Sequence, residues 1–146
     1  MIRLILCALA LTAVTVIMHG IGTVASYRRT MALWTKHRDR ARPLSVDLVL
    51  ARLVGLLLLL HFAEALVWAL FLVQVGALPN LETAAYFSLT SYTTVGYGDV
   101  VLPEHWRLLG PIEAAVGVLM LGWSTGILVA VITAAHRGEL SVPKSS

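Results

Sequence analysis

Three long apolar runs constrain the fold of this chain more than any other feature of its sequence. They cover roughly residues 4–26, 48–76 and 108–135. Each run exceeds the 18 or so residues that indicate a membrane-spanning helix, and at about 1.5 Å of rise per residue each can cross about 30 Å of hydrocarbon. A chain of 146 residues that is 58% hydrophobic and 13% charged is also not typical of a soluble domain. The sequence therefore predicts an all-α membrane protein with three spans.

The basic residues indicate how these spans are oriented. Seven of the eleven Lys and Arg residues lie between residues 28 and 52, and only Arg107 lies between the second and third spans. Because positive charge favours the cytoplasmic side, we expect residues 28–45 and the C-terminus to be cytoplasmic and the N-terminus to lie outside. The first run also loosely fits a secretory signal peptide, but cleavage would leave the basic segment outside, so the charge asymmetry favours a retained span.

The basic connection after the first span has two interpretations. Tyr27, Met31 and Trp34 recur at helical spacing, which is typical of a helix that lies in the membrane interface with its arginines, within residues 28–42, toward anionic lipids. A solvated loop that only sets topology is the alternative, and the short stripe does not decide between them.

A short segment between the second and third spans predicts a re-entrant loop. Residues 77–80 read as a turn, and residues 81–93 resume a helical pattern that is too short to cross the membrane. Non-helical backbone is tolerated at membrane depth only when it is buried in protein or lines a water-filled cavity. A helix that runs inward satisfies this rule, and the partial negative charge at its C-terminus favours a cation.

The seven residues that follow this helix carry the strongest functional signal. They read TTVGYGD from Thr93 to Asp99, with two glycines alternating with Val95 and Tyr97. Glycine reaches left-handed backbone conformations without steric cost, so such a strand can turn several carbonyl oxygens the same way. A row of carbonyls is a hard-oxygen ligand set, which suits a weakly hydrated monovalent cation.

This motif, placed between a short helix and a span, resembles the selectivity filter of the potassium-channel family, and the resemblance covers roughly residues 48–135. It implies an outer helix, a pore helix, a filter and an inner helix, preceded here by an extra N-terminal transmembrane helix. One filter strand supplies a quarter of a ring, so a homotetramer is expected. The implied K⁺ ligands are the backbone carbonyls of Thr94, Val95, Gly96 and Tyr97 and the hydroxyl of Thr94.

The resemblance also implies how the filter is supported. Asp99 is expected at the outer mouth, and the Tyr97 ring is expected to pack against Tyr86 and Phe87. Some small bacterial channels carry a glutamate, bonded to the filter aspartate, where this chain has Thr90, so the brace behind the filter must differ here. The residues assigned to filter support and the outer mouth are Thr93, Gly98, Asp99, Tyr86, Phe87 and Thr90.

Ionisable residues within the spans are candidates for gating. His61 and Glu64 lie three residues apart on one face of the second span, and Glu113 on the third span is a possible neighbour. A pH-sensitive latch between the outer and inner helices is one hypothesis. A neutral, hydrogen-bonded pair that fixes helix packing is the other and is favoured by the usual behaviour of buried carboxyl groups. His19 in the first span is a weaker candidate.

The inner helix contains further gating candidates. Gly122 falls near the hinge of the family's inner helix, although small residues are also common where membrane helices pack closely, which is the interpretation favoured for Gly117. Trp123 either narrows the central cavity or packs between helices. Arginines do not recur every third residue within any span, so a voltage sensor is not expected.

The sequence thus predicts a potassium-selective channel that conducts K⁺ passively and is not an enzyme. It has no clusters with metal-ligand spacing and no nucleophile near a base, so no cofactor is expected beyond the permeant K⁺, and the expected partners are the bilayer and other copies of the chain, with no nucleic acid. Alternatives are a membrane subunit of a potassium uptake system and a non-conducting subunit that assembles with other channel chains. The expected segments are the first transmembrane helix at 1–27, the basic connection at 28–45, the pore domain at 46–135 and a short cytoplasmic tail at 136–146.

Overall fold

The computed structural model describes the backbone of residues 1–38 and 46–136 and the side chains of residues 1–34 and 47–134. Within those ranges the protein is all-helical, with helices α1 (Ile2–Arg38), α2 (Val46–Gln74), α3 (Leu81–Tyr92) and α4 (Leu109–His136). The helices long and apolar enough to cross a membrane are α1, α2 and α4, over Ile2–Trp34, Asp47–Gln74 and Leu109–Ala134. The predicted all-α membrane fold with a short helix between two spans is confirmed. The expectations for residues 39–45 and for the tail from residue 137 lie outside the described residues.

Helix α1 is longer than the first apolar run. It continues without a break through Arg38, because neither proline nor glycine occurs between Ser26 and that residue. Its 37 residues are about 55 Å long, well beyond the 30 Å or so of a hydrocarbon core. The start of the basic connection, including Arg28 and Arg29, is therefore a helical extension of the first span.

Helices α1 and α2 pack closely along their length. The fully buried Trp68 donates its indole Nε1–H to the hydroxyl of Thr15 at 3.0 Å, and Thr15 donates to the Leu11 carbonyl at 2.9 Å. Gly22 lies so near α2 that a Cβ there would be 2.5 Å from the Leu60 side chain. The hydrogen bond of Trp68 and the close contact at Gly22 hold α1 against α2.

Helix α3 is held between α2 and α4. It begins at Asn80, whose side-chain oxygen accepts from the Thr83 N–H at 2.9 Å, as expected for an N-cap. Its last residue, Tyr92, is buried, and Gly117 of α4 lies directly against its backbone: a Cβ at Gly117 would be 2.0 Å from the Tyr92 carbonyl oxygen. The packing interpretation of Gly117 is confirmed, and this contact positions the segment that follows α3.

Candidate ion-conduction site

The backbone after α3 alternates in conformation from residue to residue. Thr94, Gly96 and Gly98 have φ of 63°, 51° and 80°, whereas Val95 and Tyr97 between them are not in the positive-φ region. Such alternation turns successive carbonyl groups toward one side and successive amides toward the other. For Thr94 the left-handed conformation costs roughly 1–2 kcal/mol, so the surrounding structure must hold it in place.

Hydrogen bonds hold the start of this strand on the last turn of α3. The Gly96 amide donates to the Thr90 carbonyl at 3.0 Å. Thr93 ends the helix with ψ near 0°, and its hydroxyl donates back to the Leu89 carbonyl at 2.6 Å. The alternating segment is thus built directly on the helix end, as the sequence predicted for Thr93.

All side chains from residue 93 to residue 99 are exposed on the single chain. Val95 is 51% and Tyr97 71% exposed, although both lie between two apolar spans. Backbone of this kind between spans must line a water-filled cavity or contact other protein. This strand is therefore the surface at which a conduction path can be built.

The Tyr86 side chain supports both the strand and the acidic residue that follows it. Its ring stacks on that of Tyr97, with centroids 6.5 Å apart and planes 14° from parallel. Its hydroxyl donates to Asp99 Oδ2 at 2.7 Å. The brace on Asp99 therefore comes from an aromatic hydroxyl on α3, a bond that sequence reasoning did not find.

Thr90 and Phe87 are two further residues that were predicted to support the strand. Thr90 donates its hydroxyl to the Phe87 carbonyl at 2.9 Å within its own helix. The Phe87 ring faces α4, where a Cβ at Gly110 would lie 3.1 Å from its tip. Within one chain, Tyr97 stacks on Tyr86, and the Phe87 ring lies against the start of α4; packing of Phe87 on Tyr97 stays a prediction.

The bond from Tyr86 keeps Asp99 ionised to lower pH. The Tyr86 hydroxyl lowers the pKa of Asp99 below its usual value, and the same bond raises the pKa of Tyr86. A lowered pKa in the folded protein means that this contribution to stability is present above the ordinary carboxyl pKa and is lost as the pH falls through the lowered one.

We expect Tyr86→Phe to raise the pKa of Asp99 toward its ordinary value. Acid titration of the Asp99 carboxyl, followed by carbon NMR on protein labelled at aspartate, should show its midpoint at higher pH in the variant than in the wild type. An unchanged Asp99 midpoint would show that the hydroxyl does not hold this carboxylate.

A second, buried set of polar side chains joins all four helices. His19 Nδ1 lies 2.9 Å from Glu64 Oε1, and the Tyr92 hydroxyl donates to Glu64 Oε2. His61 places Nδ1 3.1 Å from the Tyr92 hydroxyl and Nε2 3.0 Å from Ser124 Oγ. Ser124 Oγ in turn lies 3.4 Å from His19 Nε2, which closes a ring of five contacts. We call these five residues the polar ring.

The polar ring contains the predicted pair of His61 and Glu64, whose Nδ1 and Oε2 atoms lie 3.3 Å apart. It also contains His19 of α1, which the sequence indicated less strongly. Glu113, the candidate neighbour on α4, is fully buried, and no hydrogen bond joins its carboxyl oxygens to these residues in the described part of the chain. The sequence thus identified one pair and missed the residue on α1 that completes it.

The remaining gating candidates lie on α4 beside the ring. Trp123 meets His19 edge-on with ring centroids 5.4 Å apart and is 45% exposed, so it contacts the extra helix. A Cβ at Gly122 would meet no atom within 4 Å, so close packing within one chain does not require glycine there. Any role of Gly122 as a hinge stays a prediction.

Comparison with known protein families identifies the family of this chain. Residues 55–134 match the family model described as ion channel, a stretch that is more than half of the chain. The chain belongs to this ion channel family. No curated protein and no solved structure matches the chain. The matched region starts within α2, includes α3 and the strand of alternating backbone after it, and ends near the end of α4, so it leaves α1 outside.

Proposed function

We propose that four copies of this channel form a potassium-selective pore that conducts K⁺ passively down its electrochemical gradient. The K⁺ ligands would be the backbone carbonyls of Thr94, Val95, Gly96 and Tyr97, together with the Thr94 hydroxyl. Carbonyl oxygens arranged in this way replace the hydration shell of the ion. Asp99 at the outer mouth would raise the local cation concentration.

The alternating backbone from Thr94 to Gly98 is the observation that carries this proposal. It supports a row of carbonyls directed to one side, on a strand whose residues are all exposed on the single chain. Because neutral carbonyl dipoles bind a cation weakly, the ion can be dehydrated and still leave. The stacked Tyr86 and Tyr97 rings would keep the strand at one distance from the pore axis.

The proposed tetramer follows from the number of ligands that one strand supplies. A single strand offers one carbonyl at each level, whereas an ion without its water needs oxygens on all sides. Four chains around a closed four-fold axis supply a ring at each level. We accordingly place α4 around the axis as the inner helix and α2 outside it.

We place the basic end of α1 on the cytoplasmic side, in keeping with the excess of positive charge there. A cavity of about 410 Å³, lined by apolar side chains of α1 and α4, has Arg28 among its lining residues. This combination suits the acyl chain and the anionic headgroup of a lipid. We therefore propose that an anionic lipid binds in this cavity.

Recording from purified chain alone in planar bilayers tests the proposal. With unequal KCl and NaCl on the two sides, we expect single-channel currents whose reversal potential follows the K⁺ gradient. Gly98→Ala should abolish them, because its φ of 80° is strained for any residue with a Cβ. Gly55→Ala, at a helical site with no atom within 4 Å, is the matched control and should conduct normally.

The alternative functions predict different current recordings. A subunit that only assembles with other channel chains would give no current alone, and a subunit of an uptake system would give none without its partners. Currents that carry Na⁺ and K⁺ equally would refute potassium selectivity while leaving the ion channel function in place.

A further inference from the structure

The polar ring has one hydrogen fewer than its contacts require. Its five contacts each need one hydrogen. With Glu64 ionised and both imidazoles neutral, Tyr92, Ser124, His19 and His61 supply one hydrogen each. One contact is then left with two lone pairs facing each other in a buried site, unless the ring holds an additional cation, either a proton on one imidazole or a metal ion.

We propose that His19, His61 and Glu64 form a binding site for a divalent transition-metal ion, of the class of Zn²⁺ and Co²⁺, inside the helix bundle. Two imidazoles and a carboxylate are the donor set that this class of ion prefers, whereas Mg²⁺ and Ca²⁺ prefer oxygen ligands alone. The side chains of His19 and Glu64 are fully buried and that of His61 nearly so.

The spacing of the donor atoms fits such an ion. One nitrogen or oxygen from each of the three residues lies within 4.8 Å of the others. Glu64 oxygens lie 2.9 Å from His19 Nδ1 and 3.3 Å from His61 Nδ1. Ligands about 2.0–2.1 Å from a tetrahedral zinc ion are separated by roughly 3.3 Å, so small movements bring all three into range.

Ser124 provides the outer support that metal-binding histidines usually have. Its hydroxyl oxygen lies 3.0 Å from His61 Nε2 and 3.4 Å from His19 Nε2. If both outer nitrogens donate to this oxygen, both Nδ1 atoms present lone pairs toward Glu64, which is the tautomer that a metal ion needs. The Tyr92 hydroxyl still donates to Glu64. In this arrangement His19 Nδ1 faces Glu64 and His61 Nδ1 faces Tyr92 without a hydrogen between them, so both lone pairs are available to a metal ion.

The proposed metal site gives α1 a role that is separate from ion conduction. His19 lies on α1, outside the matched region, whereas the two other ligands lie within it. Metal binding would join α1 to α2 directly, and through Tyr92 and Ser124 it would stiffen the end of the pore helix against α4. His61, which is 8% exposed, lies at the accessible edge of the site.

Titration of chelator-treated, full-length protein in detergent with Co²⁺ tests the proposal, because tetrahedral Co²⁺ absorbs visibly and does so independently of channel current. We expect one such site per chain, displaced by Zn²⁺, and a higher melting temperature when metal is bound. His19→Gln should lower the affinity at least about 100-fold, and Ser124→Ala, which keeps all three ligands, by about 10- to 100-fold.

His105→Gln is the matched control, since His105 is an exposed histidine and should not affect the site. The proposal is overturned if wild-type protein shows no tetrahedral Co²⁺ bands, if His19→Gln retains them in full, or if His105→Gln removes them. Should His19→Gln fail to fold, the wild-type spectrum together with Ser124→Ala decides the question.

Discussion

Replacing Gly117 with alanine should destabilise the channel more than any other single methyl group added to it. A Cβ at this position would lie 2.0 Å from the Tyr92 carbonyl oxygen, 2.8 Å from its carbonyl carbon and 3.1 Å from its Cα. All three atoms belong to the backbone, so no side chain can rotate away. Helix α4 would have to move by more than 1 Å from the end of α3, since ordinary contact begins near 3.4 Å.

We expect Gly117→Ala to lower the free energy of unfolding by about 3 kcal/mol or more, at the upper end of the usual cost of overpacking. Unfolding in mixed micelles of increasing SDS content, followed by circular dichroism, measures this loss. Gly55→Ala on α2 is the matched control: no atom lies within 4 Å of its added Cβ, and alanine favours a helix by up to about 1 kcal/mol over glycine. Equal stabilities of the two variants would contradict the close contact.

Because Tyr92 also precedes the strand proposed to bind K⁺, Gly117→Ala should alter conduction in any protein that still folds. The displaced helix end carries Thr93 and Thr94, and the left-handed Thr94 depends on that anchor. We expect the variant to lose current even where folded protein survives purification.

Tyr92→Phe should have the second-largest effect. The substitution keeps the ring but removes the hydroxyl that donates to Glu64 and contacts His61. A buried carboxylate oxygen and a buried imidazole nitrogen then lose the hydroxyl between them and keep only their mutual contact at 3.3 Å. An unsatisfied buried group costs about 1–3 kcal/mol in soluble proteins and less in membranes. We expect a loss of about 1–3 kcal/mol in the same SDS titration.

Tyr86→Phe is the matched control for this prediction, since it removes a tyrosine hydroxyl from the same helix at an exposed site. Its bond to Asp99 is in contact with solvent, so we expect a clearly smaller loss of stability than for Tyr92→Phe. If Tyr92→Phe costs no more than Tyr86→Phe, the polar ring does not stabilise the bundle.

The strand of alternating backbone after α3 illustrates what local sequence can predict. Gly96 and Gly98 have positive φ because glycine alone adopts it freely, and the short helix before them ends at Thr93 as the pattern predicted. The left-handed Thr94 was not predictable from residue type. It follows from the hydrogen bonds that tie the strand to α3, which depend on the position of the whole helix.

The polar ring illustrates what local sequence cannot predict. His61 and Glu64 are three residues apart on one helix, so their proximity could be predicted. His19 is 45 residues from Glu64 and 105 residues from Ser124, and the chain has no cluster whose spacing would connect them. The aromatic residues beside the strand were also only partly predictable. The sequence predicted that Tyr86 lies near Tyr97, whereas the packing of α3 on α4 directs the Phe87 ring toward Gly110.

The sequence by itself determined that three helices are apolar enough to span a membrane and that a glycine-alternating strand lies between the last two. Both properties are local, since span length follows from the length of an apolar run and backbone freedom follows from the residue at each position. Only the tertiary structure decided which polar side chains meet. Helices that are apolar on nearly all sides carry no amphipathic pattern to show which face turns inward, so the contacts among the helices made that choice.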